Sequence, residues 1–374
     1  MASARRRCPQ LCAPLRLVAH CQSHRSPLSA RPGETRTICA APPRCVPAFS
    51  STGRRRGGRM RRIVLTGGTG LIGGAFLRQA LAAGLQVRAL TRDARQAHRS
   101  WSASRPPASE TDRRADLEWR EWDPAATAIS PDLLDGADAV VHLAGEPLAL
   151  RPLTPGLRRR LWHSRVTTTR RLATTATELP RPPALFVSAS AVGYYGDRGG
   201  IALQESDPPG EGFLSRLCVA WEAAARVAGQ ASTRVVSLRF GIVLSPAGGV
   251  LARILPLARY GLAGRLGSGD QIWAWVSHTD AARAILTSLQ ESRLRGPLNV
   301  VAPQAVSQRE FARAVAQRVG RRGQLPVPAR VLRLLLGSAA DELLLGSARA
   351  LPHALESAGF RFEHADLRTA LAAL

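Results

Sequence analysis

The sequence predicts an α/β fold of the Rossmann type: a doubly wound parallel sheet followed by a small C-terminal α/β domain on the substrate side. A short apolar strand runs directly into a glycine-rich turn and a helix just after residue 60, and further apolar strands then alternate with helical segments. With 374 residues, 45% of them hydrophobic, the chain is long enough for one large and one small core. We expect the Rossmann domain at residues 60–296 and the C-terminal domain at residues 297–374.

The first 59 residues have the composition of a targeting segment. They are rich in Arg, Ser, Ala and Pro, contain a single acid, Glu34, and show no helix or strand period. This composition is typical of an organelle transit peptide, which takes no part in the fold. The opening Met-Ala-Ser and the Ser and Pro content favour a chloroplast over the alternative, a mitochondrion.

Composition argues against several other classes of protein. The net charge of +25 suggests a polyanionic partner, but all 52 basic residues are arginine, so a general bias toward arginine explains the charge more simply than nucleic-acid binding does. Five of the six cysteines lie in residues 1–59, and their spacings to His20 and His24 match no zinc pattern, so no metal site is expected. No apolar run approaches the roughly 18 residues of a membrane span.

The segment RRIVLTGGTGLIGGAFLRQALAAG predicts a phosphate-binding turn between strand and helix. Gly67 allows the tight turn, Gly70 lets the backbone approach a pyrophosphate, and Gly73 allows the helix to pack closely on the strand. The phosphates would lie at the helix N-terminus, where unpaired N–H groups favour negative charge. The pattern therefore predicts a dinucleotide site.

The next strand, LQVRALTRD, indicates which dinucleotide is bound. An NAD site usually ends this strand with an acid, but here the end is Thr91 and Arg92, and Asp93 comes one residue late. Because a guanidinium can bind a 2′-phosphate, the sequence favours NADP. The polar residues 94–116 that follow predict an exposed loop insertion.

Later segments complete the predicted alternation of strands and helices. Apolar strands are expected at DAVVHLAGEPL, ALFVSASAVGYYGD and RVVSLRFGIVLS, with a crossover helix in LRRRLWHSRVTTTRRLATTATEL. In the C-terminal part, Ser307 and Glu310 form the pattern of a helix capping box.

These motifs together resemble the extended short-chain dehydrogenase/reductases, through TGGTGLIG, HLAG, SASAVGYYG, LRFGIVLS and WVSHTDAARAI. More closely, the chain is similar to the atypical "epimerase family" branch, marked by HLAGEPL, SRVTTTR, WEAAA, GLAGRLGSGDQIWAWVSH and ALPHALESAGFRF. The similarity runs from about Arg61 to Leu374. Plant members of that branch are plastid proteins that have been linked to plastid division.

The resemblance implies a set of NADP contacts. They are Gly67, Gly70, Leu71, Ile72, Gly73, Thr91, Arg92, Leu143, Ala144, Arg165 and Val243.

The chain differs from ordinary relatives in its catalytic residues. Ordinary relatives use a Tyr and, four residues later, a Lys, but this chain contains no lysine, and FLSRLCVAWEAAA places Leu217 and Trp221 at the two positions. Candidate substitutes for proton transfer are Ser190, Tyr194 and Tyr195, provided that a nearby arginine lowers the pKa of a tyrosine. The alternative is that both tyrosines line the site wall and Ser190 caps a turn.

Two functions of different class follow. The first is a plastid NADP-dependent oxidoreductase or epimerase-like enzyme that acts on an unknown small molecule. The second is an NADP-binding regulatory protein, in plastid division for example, in which the chemistry has been lost. Fold alone does not decide between them.

Overall fold

The computed structural model describes residues 60–103, 116–125, 128–148, 150–321 and 325–373. These described residues form one compact unit. The predicted transit peptide of residues 1–59 lies outside the described residues.

A seven-stranded parallel sheet forms the centre of this unit. The strands in chain order are β1 Arg62–Thr66, β2 Gln86–Thr91, β3 Leu117–Glu121, β4 Ala139–His142, β5 Leu185–Ala191, β6 Ala202–Leu203, β7 Arg234–Phe240, β8 Ile242–Ser245, β9 Ile272–Trp273, β10 Trp275–Ser277, β11 Gly296–Val300, β12 Val306–Ser307 and β13 Arg349–Ala350. The central sheet has the order β11-β7-β5-β4-β1-β2-β3, and its neighbours are all parallel. Three two-stranded sheets pair β8 with β10, β9 with β12 and β6 with β13. The predicted doubly wound Rossmann fold is confirmed.

Helices cover both faces of the sheet. They are α1 Leu71–Ala82, α2 Ala94–Ala103, α3 Pro155–Trp162, α4 Thr168–Glu178, α5 Phe213–Arg226, α6 Gly249–Arg259, α7 His278–Gln290, α8 Gln308–Arg318, α9 Ala329–Leu336, α10 Ser338–Ala340, α11 His353–Ser357 and α12 Leu367–Ala373. In β1, Ile63 packs in the cluster that includes α1 and α7, whereas Val64 packs with α4 on the opposite face. Since both faces are covered, a strand such as β4 is buried at every position.

The prediction of a loop insertion at residues 94–116 is wrong for residues 94–103, because these residues form helix α2. The Asp93 carboxylate accepts a hydrogen bond from the Gln96 amide at 2.7 Å and so caps the helix. Ala97 is buried and Trp101 packs against the core, so this short polar helix is stabilised by tertiary contacts. Residues 104–115 lie outside the described residues.

The C-terminal part is not separated from the central sheet at the predicted boundary between residues 296 and 297. That boundary falls inside β11, all five residues of which pair with β7. A separate hydrophobic cluster unites Trp275, which precedes the boundary, with Phe311 and Leu371, which follow it. The capping box of α8 forms as predicted, because Ser307 accepts from the Glu310 amide and Glu310 accepts from the Ser307 amide.

Candidate functional site

The glycine-rich turn lies between β1 and α1, and two of its glycine positions have no room for a side chain. Gly67 has a φ of +77°, and a Cβ atom built on it would lie 2.8 Å from backbone atoms of Leu143 and Ala144. A Cβ atom on Gly73 would lie 2.1 Å from the Gly67 carbonyl oxygen. Only glycine fits at these two positions, and the turn therefore passes tightly against both α1 and the end of β4.

The N-terminus of α1 is suited to an anion. Its N-cap residue is Gly70, which provides no side-chain hydrogen bond, and the first turn of the helix contains no acid. The first amides of this helix therefore keep their capacity to donate, and the helix dipole favours negative charge there. This cradle fits the pyrophosphate of a dinucleotide.

A buried histidine fixes the end of β4 beside the turn. The His142 Nδ1 atom is 2.6 Å from the Thr66 hydroxyl, and that hydroxyl also accepts from the Ala144 amide at 3.3 Å. Burial lowers the pKa of His142 to about 4, so the ring stays neutral at physiological pH. His142 is therefore a structural support for Leu143 and Ala144.

Arg165 brings a cation to the same strand end. It lies in a π-helical turn, His163–Thr167, that interrupts the predicted crossover helix between α3 and α4. Its guanidinium is stacked on Trp221 at 5.2 Å, and a Cβ atom on Gly145 would lie 3.6 Å from the Arg165 Cζ atom. Burial lowers the pKa of Arg165. Single π-helical turns within α-helices are frequent at functional sites.

The remaining predicted cofactor residues are placed in two regions. Thr91 ends β2, and Arg92 follows it with an exposed side chain. Val243 lies in β8, and a Cβ atom on Gly249 would lie 3.3 Å from the Val243 carbonyl oxygen and 3.4 Å from Leu71. The structure thus brings Val243 toward the start of α1.

Two of the three catalytic candidates belong to a buried polar network. The Ser190 hydroxyl donates to Glu222 at 2.8 Å, and Glu222 forms a bidentate ion pair with Arg239 at 2.8 and 3.0 Å. Arg239 also donates to the Tyr195 hydroxyl at 2.9 Å. That hydroxyl lies 2.7 Å from the acceptor oxygen of Asn299. The network ties together β5, α5, β7 and β11.

The lowered pKa that a candidate tyrosine would need for proton transfer is not found at Tyr195. Burial raises its pKa to about 12 despite the opposing effect of Arg239. Tyr194 differs, because its ring is half-buried and stacks on the Arg239 guanidinium at 3.5 Å to the ring centroid. None of the hydrogen bonds within the described residues involves the Tyr194 hydroxyl.

Cys218 is close to this network without being reactive. The free thiol is buried, and burial followed by the charge of Glu222 raises its pKa to about 12. A thiol with this pKa stays protonated at neutral pH and is a poor nucleophile.

A cavity of about 670 Å³ opens beyond the carboxyl end of β5. It lies between the residues that follow β5, the start of α5 and the segment before β13. Its walls are formed by Val192, Gly193, Gly196, Asp197, Arg198, Pro209, Gly210, Glu211, Leu214, Ser215, Ile242, Ile272, Trp273, Ala274, Arg333, Asp341, Glu342, Leu343, Leu345, Gly346 and Ala348. None of the three catalytic candidates is among them, although Val192 and Gly193 directly precede Tyr194.

Two further properties concern metals and membranes. In the part of the chain that the structure describes, no three His, Cys, Asp or Glu side chains are grouped so that they could hold a metal ion. None of the helices in that part combines the length and apolar character that a membrane span requires.

The sequence matches a family model described as the NAD dependent epimerase/dehydratase family over residues 63–301. The chain belongs to this family. A second model, described as a domain of unknown function (DUF1731), matches residues 327–374. The predicted kinship with the epimerase branch of the extended short-chain dehydrogenase/reductases is confirmed.

Similar members of the family occur in bacteria, animals and plants. Epimerase family protein Mb2239 of Mycobacterium bovis is 38% identical over 309 residues, which are 83% of this chain and 96% of that protein. The Arabidopsis thaliana protein "Epimerase family protein SDR39U1 homolog, chloroplastic" is 31% identical over 314 residues, 83% of this chain and 86% of that protein. The crystal structure of human epimerase family protein SDR39U1 (isoform 2) with NADPH superposes with a TM-score of 0.71 at 31% identity, covering 83% of this chain and 98% of that chain.

Sequence reasoning missed the Glu222–Arg239 pair, which lies at the centre of the buried network. The available signal was the placement of a charged residue on the apolar side of a helix, since Glu222 follows Trp221 among buried alanines of α5. Charged residues at such positions are seldom buried unless they are paired.

Proposed function

We propose that the protein binds NADP(H) and acts as an oxidoreductase or epimerase-like enzyme on a small molecule. The observation that carries the proposal is the turn between β1 and α1, where Gly67 and Gly73 leave no room for a Cβ atom and α1 begins without a side-chain cap. Because no side chain caps α1, its first amide groups can donate hydrogen bonds to an anion. A dinucleotide pyrophosphate is the anion that this fold binds at that position.

NADP(H) rather than NAD(H) is the proposed cofactor. Arg92 directly follows β2 in place of the acid that would bind the ribose hydroxyls of NAD. A guanidinium makes charge-assisted hydrogen bonds to a 2′-phosphate. The human relative, at 31% identity, has a structure with NADPH, which supports the same choice. The proposed contacts remain the residues that the sequence indicates, from Gly67 through Val243.

The proposed chemistry departs from that of ordinary relatives. When bound, the nicotinamide would supply hydride transfer. The chain has no lysine to assist a tyrosine, and we place Leu217 and Trp221 at the positions of the usual pair. Among the candidates, the hydroxyls of Ser190 and Tyr195 are engaged in the buried network, so we propose Tyr194 as the group that carries the proton.

We propose the chloroplast as the location. Residues 1–59 have the composition of a transit peptide, and the Arabidopsis relative is a chloroplastic protein by name. A fusion of residues 1–59 to a fluorescent protein should enter chloroplasts. Entry into mitochondria would favour the alternative location, and a cytosolic signal would remove the targeting proposal.

A second candidate function is regulatory, with NADP(H) occupancy controlling a partner, for example in plastid division. It is favoured because the Ser190 and Tyr195 hydroxyls form hydrogen bonds within the protein, which leaves few groups for catalysis.

Turnover distinguishes the two candidates. The protein is loaded with NADPH, incubated with a plastid metabolite extract, and followed by the absorbance of the reduced nicotinamide. The enzyme proposal predicts oxidation that Tyr194→Phe reduces by about 10²-fold or more, the usual contribution of general acid–base catalysis. Binding of NADPH without any turnover would support the regulatory candidate instead.

A further inference from the structure

The strand order of the central sheet reverses at β1, and this point divides the proposed cofactor site into two sides. This inference rests on the proposed function, since it takes the reversal point as the place where NADP(H) binds. The chain forms β1, β2 and β3 in one direction and then places β4 and β5 on the other side of β1. A dinucleotide in this fold crosses that point, with its pyrophosphate at the turn after β1 and its adenosine ribose near the end of β2. The nicotinamide half would therefore lie on the side of β4 and β5.

Arg165 belongs to the β4 side. A Cβ atom on Gly145 would lie 3.6 Å from the Arg165 Cζ atom, and Gly145 directly follows Ala144, against which the phosphate-binding turn packs. The charge of Arg165 also acts on the Cys218 thiol, which interacts with Ser190 near the end of β5. The Arg165 guanidinium is thus next to the strand ends that the nicotinamide half would approach.

Trp221 gives this guanidinium a rigid support. The Trp221 side chain is buried, and its Nε1 atom donates to the Thr169 hydroxyl at 2.9 Å. The Arg165 Cζ atom lies 5.2 Å from the centroid of the indole ring, within the range of a cation–π contact. Trp221 is also the residue at the position where ordinary relatives have their lysine. At that point the chain therefore has an aromatic ring in α5, and the cation stacked on it comes from the π-helical turn before α4.

The Arg165 cation has few partners of its own. In the part of the molecule that the structure describes, its guanidinium forms no ion pair, and its one hydrogen bond runs from Nη1 to the Ser164 hydroxyl at 3.5 Å. The charge of Glu146 acts on Arg165, but the Glu146 carboxylate is paired with Arg151 at 3.1 Å and with Arg160 at 3.6 Å. Burial lowers the pKa of Arg165, which shows that its charge is partly desolvated. A desolvated cation without a partner lowers the stability of a fold, unless a ligand supplies the missing anion or acceptor.

We propose that Arg165 supplies the cation that is missing at the lysine position, and that it binds the nicotinamide half of NADP(H) with Trp221 as its support. The N–H donors of the guanidinium would pair with oxygen atoms of the nicotinamide ribose and of the phosphate attached to it. The resemblance implies only that Arg165 contacts the cofactor. The structure adds the half of the cofactor that it binds and a role for Trp221.

Two ligands that share the adenosine half test this inference on the full chain. They are NADPH and adenosine 2′,5′-bisphosphate, which lacks the nicotinamide ribose and the phosphate attached to it, and both affinities are measured by calorimetry. The first variant is Arg165→Met, which removes the charge and keeps an unbranched side chain. The second is Trp221→Leu, which removes the aromatic support. Arg170→Met is the matched control, because Arg170 is an exposed arginine of α4.

Arg165→Met should weaken NADPH binding by about tenfold or more and change the affinity for the bisphosphate by less than about twofold, as expected when a charge-assisted contact to one half is lost. Trp221→Leu should show the same selective loss to a smaller degree, and Arg170→Met should change neither affinity. Equal weakening of both ligands by Arg165→Met, or an unchanged affinity for NADPH, would overturn the inference. Failure of the parent protein to bind NADPH would instead contradict the proposed function.

Thermal denaturation without cofactor separates a binding role of Arg165 from a structural one. Because the cation is desolvated and unpaired, free Arg165→Met should melt at the same temperature as the parent protein or higher. Saturation with NADPH should then raise the melting temperature of the parent more than that of the variant. A clearly lower melting temperature of the free variant would show that Arg165 mainly stabilises the fold, and would also overturn the inference.

Discussion

Two neighbouring glycines at the start of α1 differ sharply in the space around them. A Cβ atom on Gly73 would lie 2.1 Å from the Gly67 carbonyl oxygen, whereas the nearest atom to a Cβ on Gly74 is 3.6 Å away. Gly73→Ala must therefore displace the phosphate-binding turn. Gly74→Ala only replaces glycine with a better helix former, which is worth roughly 0.5–1 kcal/mol.

We expect Gly73→Ala to weaken NADPH binding by at least tenfold and to lower the melting temperature. Gly74→Ala should keep the affinity and melt at the same temperature or higher. Calorimetric titration and thermal denaturation of the pair measure both effects. Equal affinities for the two variants would show that the turn does not hold the cofactor.

Tyr195 should make stability depend on pH in the alkaline range. Its pKa is raised from 10.0 to about 12 in the folded protein, so the unfolded chain ionises first as pH increases. The contribution of Tyr195 is therefore complete below pH 10 and is lost between about pH 10 and 12, by on the order of 2–3 kcal/mol.

The comparison of Tyr195→Phe with Tyr260→Phe isolates this effect. Tyr260 is 80% exposed, so its replacement should leave the pH dependence of the unfolding free energy as it is in the parent protein. Tyr195→Phe should flatten that dependence between pH 10 and 12, measured by urea denaturation. An unchanged slope in Tyr195→Phe would mean that the residue does not titrate as its burial implies.

Residue-level chemistry was only partly predictable from the sequence. Gly67, Gly70 and Gly73 follow from a local pattern, because the turn and the helix that need them are adjacent in the chain. The roles of Ser190 and Tyr195 depend on Glu222 and Arg239, which are brought together from α5 and β7 by the sheet. Such partners cannot be read from spacing.

At the scale of elements, the buried Glu222–Arg239 pair joins α5 to the centre of the sheet. Both side chains are at most 4% exposed, so removing one charge leaves the other buried and unpaired. The resulting loss of stability is about 3–5 kcal/mol. Glu118→Gln is the matched control, since Glu118 pairs with Arg88 at a largely exposed site where an ion pair is worth under about 1 kcal/mol.

Urea denaturation of Glu222→Gln and Glu118→Gln should therefore give a large and a small loss of unfolding free energy. A double variant that replaces Glu222 and Arg239 together by apolar residues should be less destabilised than Glu222→Gln. Similar small losses in both single variants would indicate that the network is a weak connection between α5 and the sheet.

Element prediction succeeded where a periodic pattern was strong and failed where tertiary contacts decide. The strands β1, β4, β5 and β7 are apolar runs, and the sequence indicates each of them. Helix α2 is polar, and it forms because Asp93 caps it and Ala97 and Trp101 pack on the core. The π-helical turn around Arg165 has no sequence signature, because it reflects one extra residue in an otherwise regular helix.

At the scale of the whole molecule, the two sides of the site have opposite electrostatic character. Arg92 and Arg165 bring positive charge to the proposed cofactor side, whereas the adjoining cavity has an excess of carboxylates. The positive charge of the cofactor side suits an anionic dinucleotide. The fold and the cofactor side could be predicted from sequence, but the cavity required the C-terminal part to be placed against β5 and α5.

We propose that the fold holds NADP(H) through the turn at Gly67–Gly73 and the guanidinium of Arg92. The most direct measurement is a calorimetric titration of the protein and of Arg92→Ala with NADPH and with NADH. We predict that the parent protein prefers NADPH by at least tenfold, and that Arg92→Ala loses affinity for NADPH while binding NADH as before. Equal affinities for the two cofactors, or no binding of either, would rule out this mode of cofactor binding.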